Sequence, residues 1–470
     1  MFDLTAVNTV TPHSHRHSTN RYSVIPTAEK LQADRRFAGR GVTIAFLDSG
    51  FYPHPDFIDR VDCFHDVSGE ELFLEAAEPR SYQWHGTQTV TSCAGNGWLS
   101  DGVYQGIARA ARLVLVKVSD NGRISDASIE KGLRWVIANR ERFNIRVLNM
   151  SLGGDMDLGL ADSCVNQLAE QLADAGVIIT VAAGNSAESR SIPPANAPSV
   201  ITVGGYSDEN QYADDGFDLY HSSFGVTADG LVKPEIIAPA MYVAAPILPG
   251  TADYRTAEVL SRLAAAPDYF FRKLLMENWN DTGVRPDVLC LDNDTARLAI
   301  ESELRGRKIV ATHYQHVDGT SFAAPIAASV AAQMLEANPS LTPAAVRNLL
   351  ISTATRLGGH PSVRQGFGVI NAGLAVKKAL TETHELTHAD YYPPRIEGRK
   401  IVFTYHDDSA SEVSLWGSFN GWRDETARFE RSGDGIWQAE IPCHPAGKYL
   451  YKFQVDGTRW TEDPSHGVKE

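Results

Sequence analysis

Residues 317–325, VDGTSFAAP, open the stretch that most constrains this chain. From Ser321 to Glu336 the sequence is rich in alanine and reads as a core helix, stopped by Asn338-Pro339. Ser321 stands on its first turn, between Gly319-Thr320 and Phe322-Ala323-Ala324-Pro325. Small neighbours let another backbone approach closely. The first turn of a helix also offers free N–H groups and positive potential, which suits a developing oxyanion. A serine so placed has the setting of a nucleophile. Taken alone, the segment is also explained as a cap followed by a buried helix.

Two other segments change that balance. In GVTIAFLDSG (41–50) the apolar run Val42–Leu47 reads as a buried strand with Asp48 at its C-terminal end. That edge of an open α/β sheet is where sites are built. In HGTQTV (85–90), His85 precedes a small residue and then a segment, Thr87–Ala94, compatible with a helix. Asp, His and Ser in this chain order form one of the known arrangements of a serine-hydrolase triad. The residue types fit the chemistry. A serine hydroxyl is a weak nucleophile at neutral pH, and an imidazole bonded to it accepts its proton during attack and returns it to the leaving group. A carboxylate on the other ring nitrogen fixes the tautomer and stabilises the imidazolium.

Over roughly residues 38–380 the chain resembles the subtilisin-like serine proteases, the subtilase or peptidase S8 family. DSGFYPHPDF (48–57) is close to that family's Asp-x-Gly…His-Pro-Asp pattern, and NMSLGG (149–154) is similar to its substrate-binding strand. VAAGN (181–185) resembles its oxyanion motif, and IPPANAPSVITVGG (192–205) the stretch that closes its specificity pocket. The resemblance implies Asp48, His85 and Ser321 as the triad. It implies Asn185 as a side-chain donor to the oxyanion, with the Ser321 backbone N–H as second donor. Ser151, Leu152, Gly153, Gly154, Ala183 and Gly184 would bind substrate. In isolation Asn185 reads as a turn residue after Gly184, and Asp48 as a strand-end cap.

The patterning agrees with an α/β protein. Strands are expected at 42–48, 112–118, 146–152, 177–183, 199–205 and 235–238, and helices at 125–140, 160–175, 321–336, 342–354 and 371–380. The crossovers are long enough for a doubly wound, mostly parallel, subtilisin-like sheet. Two features depart from the family. IAPAM (237–241) has Ala240 where glycine is usual, which implies strain if that position requires positive φ. The connection to Ser321 is also long, with an insertion at about 250–312. Residues 256–279 are spaced for one or two amphipathic helices broken near Pro267, and 285–294 suit a strand. The insertion is read as a peripheral elaboration or as a lid beside the nucleophile.

At 470 residues, with 43% hydrophobic and 21% charged, the chain is globular and long enough for more than one domain. A net charge of −15 argues against nucleic acid or an anionic membrane as partner. The five cysteines are scattered, with no CxxC pair for zinc; Cys93 and Cys164 are expected as buried thiols, which suits a reducing compartment. The N-terminal 20 residues lack the basic start and long apolar core of a secretory signal, and no window reaches a membrane span, so a cytoplasmic location is expected. His13, His15 and His17 read as part of a mobile tail, with metal binding as the alternative. No cofactor is expected. Calcium is frequent in the family, but Asp56, Asp59, Asp62 and Asp66 lack the spacing of a calcium loop and are expected as a solvated acidic surface.

After about residue 385 the composition changes. Tyr391-Tyr392-Pro393-Pro394 resembles a linker, and 412–422, 435–442 and 447–460 alternate as short strands ending in turns. This reads as a small all-β, immunoglobulin-like sandwich. It resembles the glycogen-binding (CBM48-like) module of AMP-activated kinase β subunits and starch-branching enzymes. In that family Trp422, Lys452 and Trp460 match sugar-contacting positions; packing in the sandwich core is the other reading of the two tryptophans. The expected organisation is an N-terminal extension at 1–37, mobile; a catalytic domain at 38–384; a linker at 385–394; and the sandwich at 395–470. The expected function is a serine endopeptidase acting on polypeptides, with glycogen or another α-glucan as a further partner. The rivals are a catalytically silent scaffold presenting the module, and an esterase or peptide ligase using the same triad.

Overall fold

The apolar runs form strands of one sheet that, apart from the half-buried edge strand, are buried on both faces. They are β1 (Thr43–Asp48), β2 (Val61–Asp66), β3 (Arg112–Lys117), β4 (Ile145–Met150), β5 (Ile178–Ala182), β6 (Ile201–Ser207) and β7 (Ile236–Pro239). The computed structural model describes residues 23–69, 78–212, 216–382, 393–423, 427, 429–432, 435–445, 449–461 and 463. The strands lie in the order β7-β6-β5-β4-β1-β3-β2, and every neighbouring pair is parallel. Only the short strand Asp218–Leu219 joins antiparallel, on β6. Ile44 and Phe46 of β1 enter one core with the alanine-rich helix Thr320–Ala337; Ala45 and Leu47 enter the other, with helices Asp126–Asn139 and Cys164–Asp174. The period-2 alternation of a strand thus feeds both layers.

The six strands and five helices expected for the α/β core are present with ends shifted by a few residues; β2, an edge strand of the main sheet, was not anticipated. Its half-buried residues show no clear alternation. The acidic run is corrected in part. Asp56 and Asp66 are buried, Asp56 accepting from the Tyr314 hydroxyl at 2.8 Å and Asp66 pairing with Lys117 at 2.8 Å. Asp62 is on the surface and pairs with Arg112. Residues 23–37 are packed, not loose: Val24 and Leu31 are buried, and Lys30 pairs with Asp208 at 2.7 Å. His13, His15, His17 and most of the proposed linker lie outside the described residues. Cys93 is buried, but Cys164 is only half-buried, on the first turn of its helix beside Arg134. Among the described residues no helix is long and apolar enough to cross a membrane.

Ala240 carries no positive φ. Its methyl occupies space that Gly205 leaves open on the neighbouring strand: a Cβ on Gly205 would lie 2.2 Å from that of Ala240. A glycine at 205 therefore accommodates the alanine at 240.

The insertion forms helices Ala252–Ala265, Asp268–Asn278 and Asn293–Gly306 around a core of its own that includes Leu260, Phe271, Leu275 and Ile300. The break falls at Pro267 as expected. The strand expected at 285–294 is absent. Pro286–Cys290 is a single 3₁₀ turn, and Asp292 caps the third helix by accepting from the Thr295 N–H. The chain returns through strands Ile309–Ala311 and Tyr314–Val317, the latter also paired with Val243–Pro246.

The C-terminal region has two antiparallel sheets. One runs Arg395–Glu397, Lys400–His406, Ile436–Pro442, Glu430–Arg431; the other Val413–Gly417, Tyr451–Val455, Arg459–Thr461. Phe403, Leu415, Trp437 and Phe453 fill the space between.

Candidate active site

Asp48 ends β1 with its carboxylate buried. One oxygen accepts from the Ser49 N–H and from His85 Nδ1, both at 2.7 Å; the other accepts from Thr89 Oγ1 at 3.1 Å. His85 lies on the first turn of helix Gln83–Ala94, which starts earlier than its sequence suggests. The small residue after it has a steric reason. A Cβ on Gly86 would meet the Gly50 carbonyl oxygen at 2.2 Å, so glycine lets the helix sit against the strand end. The bond to Asp48 places the proton on Nδ1 and leaves Nε2 as the free base. Burial disfavours the imidazolium, but the charge and hydrogen bond of Asp48 outweigh it, and the His85 pKa is raised above the usual histidine value.

Ser321 is the second residue of its helix, half-buried. Pro325 has no N–H to give the Ser321 carbonyl, four residues back. That carbonyl accepts instead from Ser151 Oγ at 2.7 Å. Asn149 Nδ2 donates to Ser151 Oγ at 3.0 Å, and Thr180 Oγ1 donates to Asn149 Oδ1 at 3.2 Å. The turn is thus tied to β4 and β5. On its other side, the N–H and hydroxyl of Thr320 both donate to Asn185 Oδ1 at 2.9 Å, which leaves the Asn185 NH₂ for the cleft. His85 and Phe322 have ring centroids 6.0 Å apart, while no hydrogen bond joins His85 to Ser321. Bonds of this kind commonly tighten only with substrate bound.

The structure therefore gathers Asp48, His85, Ser321 and Asn185 at the C-terminal edge of the sheet, with Ser151–Gly154 and Ala183–Gly184 beside them. Sequence reasoning missed Thr89, Thr320, Asn149 and Thr180. Thr89 lies four residues after His85, one helical turn, so its reach to Asp48 was open to inference.

In the sandwich, Ser414 and Trp416 alternate with core residues Val413 and Leu415, and Lys452 and Gln454 alternate with Phe453 and Val455. Trp416 lies opposite Lys452, and Gln454 opposite Trp460. Trp416 and Trp460 meet edge to face with centroids 5.2 Å apart. Lys452 and Trp460 thus share an outer face, with Trp416 as an unanticipated third member. Trp460 is 50% exposed and Trp422 42%, so neither tryptophan is a core residue. Trp422 sits on the following turn, its N–H bonded to the Gly417 carbonyl.

Comparisons with known proteins agree with this geometry. The family model described as the subtilase family matches residues 39–368, and carbohydrate-binding module 48 (isoamylase N-terminal domain) matches 389–466. Serine protease AprX of Bacillus subtilis is 31% identical over 354 residues, covering 73% of this chain and 68% of AprX. Subtilisin E of the same organism is 29% identical over 351 residues, 73% of this chain and 67% of that protein. A subtilisin-like protease of Coccidioides posadasii is 32% identical over 209 residues, 42% of this chain and 46% of that protein. In fold, the structure of the prenylagaramide maturation protease PagA aligns with TM-score 0.50 and 20% identity, over 76% of this chain and all of that one.

The raised His85 pKa has a testable origin. An NMR titration should place it above 6.5. Asp48→Asn removes the charge and leaves the burial, so the pKa should fall below its value in the unaltered protein. An unchanged titration would show that Asp48 does not govern the imidazole.

Proposed function

This chain belongs to the subtilase family of serine proteases, and we propose that it is an endopeptidase working through an acyl-enzyme on Ser321, held on α-glucan by its C-terminal module. The observation that carries the catalytic reading is the 2.7 Å bond from His85 Nδ1 to the buried Asp48 carboxylate at the edge where Ser321 also stands. His85 Nε2 takes the Ser321 proton as the hydroxyl attacks the peptide carbonyl. The Asn185 NH₂ and the Ser321 backbone N–H receive the oxyanion. Collapse of the tetrahedral intermediate breaks the C–N bond, and His85 returns its proton to the leaving amine. Water, deprotonated by His85, then hydrolyses the ester. Each proton passes through His85, so the reaction requires no cofactor. The five free cysteines support a reducing, cytoplasmic setting.

For the module, an exposed face carrying Trp416, Lys452 and Trp460, with Trp422 on the adjoining turn, supports sugar binding: aromatic faces suit the C–H faces of glucose and lysine its hydroxyls.

Purified Ser321→Ala should remain folded and lose all peptide hydrolysis. Asn185→Ala should lower kcat by roughly 100- to 1,000-fold, the magnitude known for such a donor in subtilisin, with little change in KM. Undiminished proteolysis by Ser321→Ala would refute the mechanism, and an Asn185 effect confined to KM would reassign that residue to substrate positioning. Independently, the full-length Ser321→Ala protein should bind glycogen or a maltooligosaccharide with Kd between about 1 μM and 1 mM, and Trp460→Ala should abolish binding. No heat on titrating glycogen would remove the glucan reading and leave the protease reading intact.

A further inference from the structure

We propose that Lys308, where the helical insertion rejoins the core, is a positioning residue for the nucleophile: its ammonium holds the Asp318 carboxylate and so fixes the turn that carries Ser321. The inference rests on the protease reading above. It gives the insertion a part in catalysis that is neither peripheral nor that of a lid.

The insertion leaves and re-enters the core through one small antiparallel sheet, in which Tyr314–Val317 lies between Val243–Pro246 and Ile309–Ala311. That sheet meets the triad at two places. On its outgoing strand the Pro246 carbonyl accepts from Gln88 Nε2 at 2.9 Å, and Gln88 is buried three residues after His85 on the same helix. Its returning strand runs straight into Asp318, Gly319, Thr320 and Ser321. Lys308 stands where the third insertion helix gives way to this sheet. Arg307 ends helix Asn293–Gly306, and Lys308 follows with φ +58°, the left-handed conformation that turns a chain out of a helix. Its N–H donates to the Arg305 carbonyl at 3.0 Å, and its carbonyl accepts from the His316 N–H at 2.8 Å, so its backbone is held from both sides. Glycine is the residue that adopts this conformation without strain; lysine brings a side chain, and Nζ donates to Asp318 Oδ2.

The other carboxylate oxygen accepts from the Tyr242 N–H at 3.4 Å, while His316 Nδ1 stands 3.7 Å from it. Among the described residues no other lysine or arginine pairs with Asp318. One residue on, the Gly319 N–H donates to the Ala240 carbonyl at 2.8 Å; two residues on, the N–H and hydroxyl of Thr320 hold Asn185. Asp318 is thus the side chain through which the insertion grips this turn. Magnitudes favour an effect on rate over one on stability. Lys308 is exposed and Asp318 half-buried, and an ion pair of that kind adds little to the stability of a fold. A reacting group displaced by ~1 Å, in contrast, can lose about 100-fold in rate.

The test uses the full-length protein. It is first labelled with a fluorophosphonate; an unlabelled wild type would overturn the protease reading and this inference with it. On a peptide anilide that the labelled wild type hydrolyses, Lys308→Met, which keeps an unbranched stem without the charge, should lower kcat by between roughly 10- and 100-fold. KM should stay within about twofold and the melting temperature within about 4 °C. Lys308→Arg should recover most of the loss. Asp318→Asn should lower kcat as well, and the double variant should be no slower than the slower single one, because both changes remove the same contact. Arg255→Met breaks the exposed pair with Asp281 elsewhere in the insertion and should leave kcat unchanged. An unchanged kcat in Lys308→Met, additive losses in the double variant, or an equal loss in Arg255→Met would overturn the assignment and leave the labelled protease standing. If Lys308→Met does not fold, Lys308→Gln carries the same test; unfolding of both would show a structural residue and overturn the assignment too.

Discussion

Pro325 withholds one backbone donor, and much of the site follows from that. A residue with an N–H at 325 would close a helical bond to the Ser321 carbonyl. Without it, the carbonyl turns to Ser151, which is linked to Asn149 and through it to Thr180. These side chains are buried, and each polar atom left unpaired there costs about 1–3 kcal/mol. The relay therefore fixes the first turn of the nucleophile helix to β4 and β5. The extensions of those strands carry the Asn185 donor.

What was legible in the sequence was local. An apolar run ending in Asp48, and a serine opening an alanine-rich helix, each announce their place because the neighbours fix the backbone. What was not legible depends on partners distant in sequence. Asp56 was read as a surface acid; it is buried because Tyr314, 258 residues away, reaches it. Thr320 reads as a helix-start residue, and its role in orienting the Asn185 amide needs the fold. Residues 285–294 had the apolar content of a strand, but Pro286 and the cap at Asp292 produce a turn and a helix start. Trp416 could not be assigned a face until the register with Lys452 fixed it. The sequence reading did place Lys452 and Trp460 together, through the resemblance rather than through periodicity.

The sandwich meets the catalytic region beside the segment that leads into β7. The Ile396 N–H bonds to the Gly230 carbonyl at 2.6 Å, just before β7 begins. Tyr451 donates to Asp463 at 2.6 Å, and burial together with that carboxylate raises the Tyr451 pKa well above its usual value, opposed by Arg347. Arg347 bonds to Glu235 at the start of β7, at 3.2 Å. Glu235 and Arg347 lie at the N-terminal edge of the sheet, whereas Asp48 and Asn185 stand at its C-terminal edge.

The central claim is that Asp48 and His85 activate Ser321. Mass spectrometry of the full-length protein after reaction with a fluorophosphonate addresses it directly. A single adduct on the peptide that carries Ser321, forming more slowly as pH falls through the raised His85 pKa, is the predicted result. An unmodified protein, or an adduct on another serine, would contradict it.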